Sequence, residues 1–137
     1  MSFGSSIYLF GGYENDSMSK ELLVLEGGLG ESASWRKVRG CVGNGPSERT
    51  GMQGVALEGE LLFFGGCSKY LREYHNETYL FDPIETRWTL VPCEASPSPR
   101  IDFSMSSLSK QRCLIFGGLE TFLSYSDTHL FDLGTFI

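Results

Sequence analysis

Positive charge is scarce in this 137-residue chain: 11 Lys and Arg stand against 17 Asp and Glu, a formal net charge of −6. A sequence-independent hold on nucleic acid needs clustered cations to neutralise phosphates, so nucleic acid is not an expected partner. Long apolar runs are missing as well. None approaches the roughly 18 residues of a membrane-spanning helix, and no basic stretch followed by an apolar one opens the chain as a secretory leader would. No membrane role is expected, and a cytoplasmic location is. The four cysteines, Cys41, Cys67, Cys93 and Cys113, are isolated, without the close Cys or His pairs of a zinc site, and are expected as reduced thiols. The two histidines, His75 and His129, are not a metal pair by local spacing. His129 is expected as a packing residue in a strand and His75 as a surface residue in a loop. No serine stands in a nucleophile elbow, and Cys67 has no histidine near it beyond that of the loop. The glycines at 27–30 lack the following Lys-Ser or Lys-Thr of a phosphate loop. Catalysis has no support in these residues, and neither a cofactor nor a metal is expected.

What the chain does have is apolar content and repetition. Hydrophobic residues make up 41% and aromatics 13%, a composition that folds. The hexad Ile-Tyr-Leu-Phe-Gly-Gly at 7–12 returns as Leu-Leu-Phe-Phe-Gly-Gly at 61–66 and as Cys-Leu-Ile-Phe-Gly-Gly at 113–118. After each comes an alternating segment opened and closed by a carboxylate: Glu21 to Glu26, Glu77 to Asp82, Asp127 to Asp132. Trp35-Arg-Lys-Val and Trp88-Thr-Leu-Val follow the first two, and Pro46-Ser-Glu-Arg and Pro97-Ser-Pro-Arg lead into the next copy. Recurrent carboxylates such as Glu77 and Asp127 point to a repeated structural hydrogen bond rather than to an acid and a base. The glycine pairs suit positive φ or a close approach of backbone.

A period of about 50 residues, with a strand ending in a double glycine, resembles the kelch repeat, in which each unit is one blade of a propeller. The resemblance covers essentially the whole chain and includes the tryptophan strand and the Pro-x-x-Arg connection. It implies an all-β fold, an incomplete kelch β-propeller of four-stranded antiparallel blades. Ten strands are predicted: three in an incomplete blade over 1–45, four in a complete blade over 46–96, and three in an incomplete blade over 97–137. Trp35 and Trp88 are expected in interblade cores, Trp88 between the second and third copies. Residues 131–137 align with 81–87, so the counterpart of Trp88 would come next. Since propellers close with about four to eight blades, the chain is expected to be a fragment or truncated product of a longer kelch protein. A short chain that completes its ring by self-association and an open stack are the other accounts.

The same resemblance implies a protein-interaction module, an adaptor or scaffold. The alternative is part of a propeller enzyme, of the galactose oxidase or specifier type, although no copper-ligand set is present to transfer. Loops after the second and fourth strands of each blade emerge on one face: 13–20, 67–76, 119–126, 39–48 and 93–99. Tyr13, Lys69, Tyr70, Arg72, Tyr74, His75, Phe122 and Tyr125 lie on these loops and are the candidate partner-binding residues. Tyr and Arg are enriched among interface hot spots. The sequons at Asn15 and Asn76 carry little meaning without a secretory leader.

Overall fold

Runs of aliphatic and aromatic residues pair as antiparallel strands throughout the computed structural model, which describes residues 1–28 and 30–135. Leu29, in the loop between the acidic strand and Trp35, and Phe136 and Ile137, in the last aligned turn, lie outside the described residues. The strands are β1 (Ser2–Phe3), β2 (Ser6–Phe10), β3 (Tyr13–Glu14), β4 (Ser17–Met18), β5 (Leu22–Glu26), β6 (Ser34–Lys37), β7 (Thr50–Leu57), β8 (Glu60–Ser68), β9 (Glu73–Tyr74), β10 (Thr78–Asp82), β11 (Arg87–Val91), β12 (Ser104–Ser107), β13 (Arg112–Glu120) and β14 (Leu123–Asp132). A single 3-10 turn at Leu133–Thr135 follows, and the described residues contain no α-helix.

Three blade sheets result, ordered β1-β2-β5-β6, β7-β8-β10-β11 and β12-β13-β14. They are not closed into a barrel and fit an incomplete propeller. Equivalent registers recur: Tyr8 opposes Val24, Leu62 opposes Leu80, and Leu114 opposes Leu130. More strands form than the sequence predicts. The backbone continues through the glycine pair, so that β8 runs on to pair with β9 and β13 runs directly into the β14 hairpin, while β3 and β4 form a hairpin of their own.

Each strand alternates its side chains between two faces. In the second sheet, Leu61 and Phe63 turn to the first sheet and Leu62 and Phe64 to the third, so this sheet is buried on both sides. Leu61, Phe63, Tyr79, Phe81 and Trp88 meet Leu22, with Tyr8 and Phe10 packed alongside. Val55, Leu57, Leu62 and Val91 meet Cys113 and Phe131, and Phe64 meets Phe103 and Ile115. Full burial of such a side chain contributes about 1.5–3 kcal/mol, so these two layers dominate the stability of the fold.

The tryptophans depart from expectation. Trp88 lies between the first and second sheets, not the second and third: its ring centroid is 4.8 Å from that of Phe81, 5.3 Å from Phe63 and 5.6 Å from Phe10. Its cross-strand partner is Phe81, and directly opposed side chains share a face, which fixes the direction of the indole. Trp35 opposes Leu25 in the same way, but on a face of the first sheet that no described residue of another sheet covers. It is 50% exposed rather than in a core. Leu9, on this face, and Phe116, on the far face of the third sheet, are exposed as well.

Candidate partner-binding face

The loops of one face are anchored by two arginines that the Pro-x-x-Arg segments deliver into the interior. Arg49 and Arg100 are almost wholly buried. Arg49 donates from Nη1 to the Gly65 carbonyl at 3.2 Å and to Glu77 Oε2 at 3.1 Å. Arg100 donates to the Gly117 carbonyl at 2.8 Å and grips both oxygens of Asp127, at 2.6 and 2.9 Å. A charge-assisted bidentate pair of this kind is among the stronger hydrogen bonds and fixes orientation as well. The carboxylates that open the acidic strands are thus used structurally, as their recurrence suggests.

The arginine backbones serve the preceding sheet. The Arg49 carbonyl accepts from the Gly12 amide and the Arg100 carbonyl from the Gly66 amide, both at 3.0 Å. Each arginine therefore joins two sheets, main chain to one and side chain to the next. Positive φ recurs at the second glycine of each pair, 98° at Gly12, 95° at Gly66 and 103° at Gly118, and a Cβ on Gly118 would stand 2.7 Å from the Ile101 carbonyl oxygen. Glu21, the counterpart of Glu77 in the first sheet, pairs with Lys37 among the described residues.

Electrostatics follow from these contacts. Hydrogen bonds from Arg100 and then His129 hold the Asp127 carboxyl well below the usual carboxylate range. Burial pushes Glu77 up, but the charge and hydrogen bond of Arg49 outweigh it and the net shift is downward. His75 is lowered, first by burial and then by the charge of Arg49, against the opposing pull of Glu77 and Glu73. Burial drives the Cys113 thiol up to about 11, and raises that of Cys67. Both are free thiols buried in the core. Among the described residues no cluster of His, Cys, Asp or Glu is arranged to hold a metal ion.

The eight candidate residues occupy different settings. Tyr13 is half exposed on β3. Lys69 and Tyr70 stand in the turn after β8 with positive φ; Lys69 Nζ lies 2.6 Å from Glu73, and Tyr70, 69% exposed, donates its hydroxyl to the Asp16 carbonyl at 3.2 Å. That bond joins the neighbouring loops of the first two sheets. The Arg72 side chain is exposed, with no hydrogen bond or ion pair among the described residues. Tyr74 is half-buried on β9, opposite Cys67. Phe122 is 98% exposed at the β13–β14 turn. Tyr125 donates to Glu120 Oε2 at 2.7 Å and lies under the Arg100 guanidinium, 4.3 Å from ring centroid to Cζ.

His75 is not a surface residue. Its side chain is only 10% exposed, with Nε2 2.8 Å from Ser68 Oγ and Nδ1 3.4 Å from Glu77. His129, expected as packing, instead sits 2.8 Å from Asp127 and supports the carboxylate that Arg100 holds. Asn76 is also tied down, donating to the Pro97 carbonyl at 3.2 Å. Between the first two sheets on this side opens a cleft of about 850 Å³, lined by Lys20, Arg39, Arg49, His75, Glu77 and Trp88 among others. Sequence reasoning did not show the inward course of the arginines, although their recurrence in register was a signal for it.

Comparison with known proteins agrees with this geometry. The family model described as the KLHDC2/KLHL20/DRC7 Kelch-repeats domain matches residues 1–137. Tip elongation aberrant protein 1 of Schizosaccharomyces pombe is 31% identical over 134 residues, which is 95% of this chain and 11% of that protein. The Rho GTPase-activating protein gacHH of Dictyostelium discoideum is 29% identical over 123 residues, 85% of this chain and 8% of its own length. Kelch domain-containing protein 10 of Rattus norvegicus is 26% identical over 146 residues, 97% of this chain and 35% of its length. The chain thus spans a small part of these relatives.

Proposed function

Since the chain belongs to the kelch-repeat family, whose domains generally mediate protein–protein interactions, we propose that it is an adaptor or scaffold module that takes a protein partner on its loop face. The observation that carries this reading is the pairing of exposed aromatics with a rigid base. Tyr70 and Phe122 stand out in solvent, while the loops beneath them are held by Arg49, Arg100 and the Tyr70–Asp16 bond. A side chain already held, as Tyr70 is by its hydroxyl, loses less further entropy on binding, which favours it as an anchor. Arg72 adds an unpaired cation, and the cleft beside His75 gives a partner side chain somewhere to insert. The work is binding, not catalysis. The rest of the propeller surface would come from further sheets, supplied by a longer kelch protein or by a second copy.

The test is affinity capture followed by mass spectrometry, comparing the wild type with Tyr70→Ala/Arg72→Ala and with Glu85→Ala, the last on a turn of the opposite side. A defined set of proteins retained by Glu85→Ala and lost by the double variant is the expected result. Equal loss from both would remove the reason for choosing this face.

A further inference from the structure

The cleft on the loop face is walled by the first two sheets and by the crossover from β6 to β7 that joins them. This crossover bonds along the start of β11: the Val42 amide donates to the Thr86 carbonyl at 2.9 Å, and the Val42 carbonyl accepts from the Trp88 amide at 2.8 Å. Gly45 then passes so close to the indole that a Cβ there would stand 2.9 Å from Trp88 Nε1. Among the described residues that N–H has no acceptor, yet no polar side-chain atom sealed from solvent lacks a partner, so it faces the open cleft that Trp88 lines. The side chain is otherwise buried, and a buried indole N–H ordinarily finds a partner. The charges of the cleft are unequally paired as well. Glu21 is held by Lys37, Glu77 by Arg49 and Glu73 by Lys69, and Glu48 lies within electrostatic reach of Lys69. Lys20 and Arg39, both exposed, have no side-chain hydrogen bond or ion pair among the described residues. Lys20 and Glu48 also border a second cavity, of about 330 Å³, where Met18 and Tyr70 supply apolar surface.

From this arrangement we infer that the groove takes an acidic segment of a protein partner, its side-chain carboxylates meeting Lys20, Arg39 and the Trp88 N–H and a neighbouring apolar side chain lying against Met18 and Tyr70. The inference rests on the partner-binding reading and gives that partner its chemistry. An ionised carboxylate only accepts hydrogen bonds, and all three unused groups only donate. A basic segment would set its charge against Lys20 and Arg39 and leave the indole N–H without an acceptor.

The probe is a peptide of alternating leucine and glutamate, blocked at both ends so that only side-chain carboxylates are offered, with the leucine–glutamine peptide as control. Each is titrated into the chain and followed by calorimetry and by the indole N–H resonances, assigned with Trp35→Phe. Saturable binding of the glutamate peptide is expected, about tenfold or more tighter than the control, with movement of the Trp88 resonance and none of that of Trp35. Lys20→Gln and Arg39→Gln, both at exposed positions, should each weaken binding by about tenfold and reduce its salt dependence, while Lys110→Gln, on a turn of the opposite side, leaves it unchanged. No saturable binding, equal binding of the glutamine peptide, a Trp88 resonance that stays in place, or full affinity in both Lys20→Gln and Arg39→Gln would each overturn the inference. None of these results would restore proteins lost on capture by Tyr70→Ala/Arg72→Ala, so failure of the groove is distinguishable from failure of the partner-binding reading.

Discussion

Arg100 is fully enclosed, yet its guanidinium reaches two carbonyl oxygens and both oxygens of Asp127. Truncation leaves those carbonyls without donors. Arg100→Ala should therefore cost on the order of 2 kcal/mol or more in urea denaturation, and Arg112→Ala, which breaks only an exposed pair with Asp132, less than about 1 kcal/mol. Similar midpoints for the two would show that Arg100 is not a structural tie. Acid should expose the same network. Asp127 is depressed in the folded state, so its contribution is complete above the unfolded carboxylate range near ~4 and is lost as pH falls through the folded value. His75 is depressed too, so its contribution is complete above about 6.5 and declines as pH drops from there. His75→Asn should flatten the first part of the acid decline, and Asp127→Asn the last. An unchanged stability profile in His75→Asn would refute the role given to its burial. The recurrence of Arg49 and Arg100 was legible in the sequence, but their depth was not, because a lone arginine in a Pro-x-x-Arg segment reads equally well as surface charge.

At the scale of the element, the strands carrying the hexads and the acidic segments were legible from alternation and repetition. The hairpin β3–β4 and the short β9 were not, since two-residue strands have no period to detect. The double glycine was read as a strand end, but it sits within β8 and β13, where positive φ turns the backbone so that the Gly66 amide reaches the Arg100 carbonyl and the Gly117 carbonyl accepts from the Arg100 guanidinium. Gly118→Val should be the more damaging substitution by about 1–3 kcal/mol relative to Gly28→Val. Gly28 also has positive φ, but a Cβ there meets nothing, so the contrast isolates the clash with the Ile101 carbonyl. Equal melting temperatures would place the cost in φ alone. Trp88→Ala should cost about 3–5 kcal/mol, as expected for a large aromatic enclosed by Phe10, Phe63 and Phe81. Which neighbour Trp88 faces was not legible, because alternation gives two faces without saying which lies against which sheet.

For the whole molecule, the repeat alone implied a stack of twisted sheets, and the stack is what forms. The amide contacts at the arginines add a kinetic consequence. Gly12 and Gly66 donate their N–H groups across a sheet boundary, so neither proton is guarded by the ladder of its own sheet. In hydrogen exchange these two amides act as latches: each should become labile when the next sheet separates, even while its own strand remains paired, and their two rates would time the opening of the two boundaries independently.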